Sequence, residues 1–76
     1  MIELEIYAPG LRDDTTLMQF RDQMDLLPKV RYKVDTHHDL VYFEIAEAGM
    51  VSLDELTETF TSIGLAPRIV GQVPEL

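Results

Sequence analysis

Residues 29–45 read KVRYKVDTHHDLVYFEI, and they decide the fold. Val30, Tyr32 and Val34 alternate with Lys29, Arg31 and Lys33. After the polar stretch Thr36-His37-His38-Asp39, Val41, Phe43 and Ile45 alternate with Tyr42 and Glu44. A period of two over two adjacent runs, joined by four polar residues, predicts a β-hairpin with one face apolar and the other charged. One hairpin cannot bury its apolar face alone, so the flanking sequence must supply cover.

That cover is written on both sides. Upstream, Asp13, Asp14, Thr15 and Thr16 are helix-start residues, and Leu17, Phe20, Met24 and Leu27 form an apolar stripe that ends at Pro28. Downstream, Ser52 and Glu55 form a capping box before Leu53, Leu56, Phe60 and Ile63, and Gly64 suits the helix C-terminus. Beyond these helices lie two more strands. Ile2, Leu4 and Ile6 alternate with Glu3, Glu5 and Tyr7 until Pro9-Gly10. Leu65 to Val73 reads as the last strand, with Pro67 near its start marking an edge position.

The order β-α-β-β-α-β over residues 1–76 predicts a single α+β domain, a ferredoxin-like two-layer sandwich. Both helices cover one face of a four-stranded antiparallel sheet. Its first and third strands are expected at the centre. The open face then presents Glu3, Glu5, Tyr7, Tyr42 and Glu44 centrally, and Lys29, Arg31, Lys33 and Arg68 on the edge strands, so that opposite charges meet between neighbouring strands.

Composition narrows the chemistry. The 76 residues include no cysteine, which excludes disulfides, thiolate metal centres and a cysteine nucleophile. A formal net charge of −8, from 14 acidic and 6 basic residues, disfavours nucleic acid and anionic membranes as partners. The opening Met1-Ile2-Glu3-Leu4-Glu5 lacks the charge pattern of a signal peptide, and no run approaches the ~18 apolar residues of a membrane span. A cytoplasmic protein, or a soluble domain of a larger one, is expected.

With its elements placed, the chain resembles the heavy-metal-associated domains of copper chaperones and metal-pumping ATPases. The residues that carry the resemblance are Lys29 to Asp35, Val51-Ser52-Leu53-Asp54-Glu55-Leu56, and Ile63-Gly64-Leu65-Ala66-Pro67-Arg68-Ile69-Val70. That family's metal loop, Gly-Met-Thr-Cys-x-x-Cys, falls on Gly10 to Thr16. The glycine matches and Leu11 can do the packing of the methionine, but Asp13 and Thr16 stand at the two cysteine positions. Soft ions need thiolate or thioether ligands. The resemblance therefore implies the scaffold and a habit of docking to similar domains, without copper transfer.

Each candidate site has two readings. Asp13 and Asp14 cap the first helix, or hold a hard cation through carboxylate oxygens. His37 and His38 form a solvated turn, or bind Zn²⁺, Ni²⁺ or Cu²⁺ with help from Asp35 and Asp39. Tyr7 and Tyr42 pack across strands, or stack on bases as in RNA-recognition folds, although their neighbours Glu3, Glu5 and Glu44 oppose nucleic acid. Met18 and Met24 read as core filler, while Met50 falls in a loop. Ser52 and Ser62 have no placed base, and no phosphate loop is present, so no catalytic residue and no cofactor are expected.

The leading expectation is a non-catalytic binding, adaptor or regulatory module. It would act through protein-protein contacts at Tyr7, Arg31, Lys33, Tyr42 and Glu44, with a related metal-binding domain or a second copy as partner. Pro9-Gly10-Leu11 leaves open an alternative, because it resembles the ligand turn of the ACT domains, which sense small molecules. A metal-binding domain using Asp and His in place of Cys is the other alternative.

Overall fold

In the computed structural model, which describes residues 1–76, the elements follow the expected order. They are β1 (Ile2–Tyr7), α1 (Asp14–Met24), β2 (Arg31–Asp35), β3 (Leu40–Ile45), α2 (Leu53–Thr61) and β4 (Arg68–Val70). The strands form one antiparallel sheet in the order β2-β3-β1-β4, so β1 and β3 are central.

The helices begin where their sequences say they should. Asp13 caps α1, its carboxylate accepting from the Thr16 amide and hydroxyl at 3.1 Å each. Ser52 and Glu55 make the reciprocal capping box of α2. At the end of α2, Gly64 takes φ +84°, the amide of Leu65 donates to the Phe60 carbonyl, and that of Gly64 donates to the Thr61 carbonyl. Only glycine adopts that conformation without strain, and the two bonds close the helix as a Schellman motif.

Three phenylalanines join the two layers. Phe20 of α1 and Phe60 of α2 have ring centroids 4.9 Å apart, and Phe43 of β3 meets Phe60 edge-on at 6.2 Å. Tyr32 of β2 meets Phe20 edge-on at 5.7 Å. Around them are buried Leu4, Ile6, Leu11, Met24, Val41, Ile45, Val51 and Leu56. Both helices therefore cover the same side of the sheet.

Four expectations are corrected. The α1 helix ends at Met24, and Leu27 reaches the core from a tight turn in which its amide bonds the Met24 carbonyl. Lys29 precedes β2 and is not part of the edge strand. Met18 is 67% exposed and fills no core space. The strand expected over Leu65–Val73 spans only Arg68–Val70. The amide of Leu65 is spent on the cap of α2, Pro67 has no N–H to give, and Gly71 at φ +80° turns the chain away.

Candidate functional site

The inner residues of β1 and β3 are Leu4, Ile6, Val41, Phe43 and Ile45, all buried. Alternation sends Glu3, Glu5, Tyr7, Leu40, Tyr42 and Glu44 to the opposite face, which no helix covers. The strand register arranges this face in three rows. Arg31, Glu44 and Glu3 form the first, Lys33, Tyr42, Glu5 and Val70 the second, and Asp35, Leu40, Tyr7 and Arg68 the third. Tyr42 occupies the centre, with Lys33 and Glu5 directly on either side of it. A shallow groove of about 1000 Å³ crosses the face, lined by Glu3, Glu5, Lys33, Tyr42 and Glu44 among others.

The charges are sorted by column. In the first two rows β2 carries Arg31 and Lys33, while β1 and β3 carry Glu3, Glu5 and Glu44; in the third row Asp35 stands on β2 and Arg68 on β4. Arg31 lies opposite Glu44 as expected, but Glu3 also lies directly opposite Glu44, a like-charged pair between the two central strands. Cross-strand like charges oppose folding. None of these side chains is relieved by an ion pair within 4 Å, because the two ion pairs of the molecule are Arg12 with Asp39 and His38 with Asp35.

The structure thus brings Tyr7, Arg31, Lys33, Tyr42 and Glu44 onto one surface. It keeps the metal candidates apart. Asp13 is spent on its cap, Asp14 lies in the first turn of α1, and His37 and His38 are exposed in the hairpin. His38 Nδ1 lies 2.9 Å from an Asp35 oxygen, and the His37 amide donates to the other oxygen. The bond to His38, followed by charge attraction and the amide bonds, holds the Asp35 carboxyl below the usual carboxylate range. No group of three or more His, Asp or Glu side chains converges as metal ligands would. In the Pro9-Gly10-Leu11 turn, Leu11 is fully buried and packs into the core.

One constellation was not foreseen. Asp39, 6% exposed and at φ +54°, ends the hairpin loop. Its carboxylate accepts from Arg12 through the backbone amide at 3.1 Å, Nε at 3.3 Å and Nη2 at 3.2 Å, and its carbonyl accepts from the Ala8 amide at 2.9 Å. The hydrogen bond from Arg12 is the main cause of a depressed Asp39 carboxyl, and it raises Arg12 in turn. The pair ties the loop after β1 to the β2–β3 hairpin, 27 residues away in sequence. A lone Asp at the end of a hairpin loop, where left-handed φ favours Asp or Asn, was the available signal. Nothing local pointed to Arg12.

Chemically, the open face offers charge and shape for docking, with one aromatic ring at its centre and no nucleophile-base pair. No family model, no curated protein and no solved structure matches this chain.

Proposed function

We propose that this chain is a non-catalytic protein-docking module that works through the open face of its sheet. It would be a metal-chaperone-like scaffold in which Asp13 and Thr16 stand at the thiolate positions. The observation that carries the reading is the sorted, unpaired charge around Tyr42, above all Glu3 facing Glu44 in register. A like-charged pair at the centre of a small sheet lowers stability. Its presence on a grooved, uncovered face fits a surface shaped for binding, where stability is commonly given up. The commitment of Asp13 to its cap and of Arg12 to Asp39 supports a structural role for the loop that precedes α1.

The fitting partner is a folded protein surface that presents basic groups to Glu3, Glu5 and Glu44 and acidic groups to Arg31 and Lys33, with an apolar contact for Tyr42. Electrostatic complementarity of this kind sets register and specificity. The test compares affinity capture by the native chain and by Tyr42→Ala, followed by titration of the purified captured protein into labelled chain. Amide shifts centred on Glu3, Glu5, Lys33 and Tyr42, with affinity falling at least ~5-fold in the variant, support the reading. Equal capture by both forms, or shifts confined to the helices, would overturn it, as would capture of nothing by a chain that also does not self-associate.

A further inference from the structure

We infer that a second copy of this chain docks on the open face, about a two-fold axis running along β3. The inference rests on the docking reading above and names its partner. Rotation about β3 lays β2 of one copy over β1 of the other while keeping each row at its own level. In the first row Arg31 then meets Glu3 of the second copy. In the second row Lys33 meets Glu5, and in the third Asp35 meets the Tyr7 hydroxyl, which can donate to it. Symmetry makes each contact occur twice, as in any isologous interface.

Residues on the axis meet their own counterparts. Tyr42 faces Tyr42 and Leu40 faces Leu40, an aromatic and an apolar contact at the centre, where binding energy concentrates. Glu44 facing Glu44 is the one repulsive element, and Arg31 stands opposite Glu44 within each copy. An axis between β2 and β3 would bring only those two strands together. Moved to lie between β3 and β1, it would set Glu44 over Glu3. Arg31, Lys33, Glu3 and Glu5, which make no ion pair within one copy, thus each meet an opposite charge in the other, and this self-complementarity is the ground for a second copy over a foreign protein.

The face is small. The axis along β3 leaves β4 without a counterpart, so three strands ~4.8 Å apart and up to six residues at ~3.3 Å each give a contact of roughly 14 by 20 Å. That lies below the size of stable specific interfaces and in the range of weak, transient ones, and each copy carries a net charge of −8, so the dimer is weak and concentration-dependent.

The experiment is sedimentation equilibrium of the pure chain at ~0.15 M salt, where the Debye length is ~8 Å. Four samples are compared: native, Lys33→Glu, Glu5→Lys, and an equimolar mixture of the two variants. The native chain is expected to dimerise reversibly. Each variant alone places like charges at two symmetric contacts and should lose at least ~10-fold in affinity. In the mixture, Glu at position 33 of one chain faces Lys at position 5 of the other, and the native Glu5 and Lys33 still pair. Association should therefore return as a heterodimer. Circular dichroism confirms that each variant is folded, and if either fails to fold the pair is replaced together by Arg31→Glu and Glu3→Lys, which complement each other in the first row in the same way. A native chain monomeric at millimolar concentration, or a mixture no more associated than its components, would overturn the dimer. If that chain still captures a partner lost in Tyr42→Ala, the docking reading stands without it. If it captures none, both fall.

Discussion

Replacing Glu3 by Lys should make the fold more stable and the docking weaker, from one and the same charge. Glu3 sits directly opposite Glu44, and such neighbours have Cβ atoms about 5 Å apart. Two unit charges at that distance in water repel by ~0.8 kcal/mol, and screening at 0.15 M salt reduces this to ~0.4 kcal/mol. Reversing one sign turns repulsion into attraction, a swing of ~0.9 kcal/mol. For a domain of this size that raises Tm by roughly 4–7 °C. In 1 M salt, where the Debye length is ~3 Å, the swing falls to ~0.3 kcal/mol. Thermal melts of both proteins at the two salt concentrations measure it. An increase in Tm at low salt that shrinks at high salt is the expected result. A variant no more stable than the native chain at low salt would refute the claim that Glu3 and Glu44 repel, and with it the idea that stability was surrendered on this face. The same variant should lose self-association, since Arg31 of the second copy would meet a lysine.

Further outcomes follow from the core, the caps and the buried carboxylate. Phe60→Ala removes the ring that touches both Phe20 and Phe43, a loss of ~3–5 kcal/mol, and should leave the chain largely unfolded in urea titrations. Ser52→Ala removes the acceptor for the Glu55 amide and should cost ~1 kcal/mol by the same measurement. Asp39 is depressed in the folded state by Arg12, so its contribution is fully present above the unfolded carboxylate value of ~3.9 and is lost as pH falls through the lower folded value. Asp39→Asn, which keeps the tolerance for left-handed φ, should lower the urea midpoint at pH 7. It should also flatten the fall of that midpoint at acid pH. An unchanged acid slope would show that Arg12 does not stabilise the ionised form.

Local pattern determined most of the architecture. Alternation in residues 30–45 and in Ile2–Tyr7 named the inner and outer faces, because side chains on a strand alternate whatever surrounds them. Asp13, Ser52, Glu55 and Gly64 marked the helix ends, because capping uses atoms within a few residues. The open-face residues Tyr7, Arg31, Lys33, Tyr42 and Glu44 followed from that alternation once the strand order was inferred. Tertiary structure decided the rest. The register that sets Glu3 against Glu44 and Tyr42 between Lys33 and Glu5 depends on how the strands slide past one another, which no single strand encodes. The brevity of β4 depends on competition for the Leu65 amide, which α2 wins. The Arg12–Asp39 pair depends on two loops meeting at one end of the sheet, a contact between residues far apart in the chain, which local spacing does not announce.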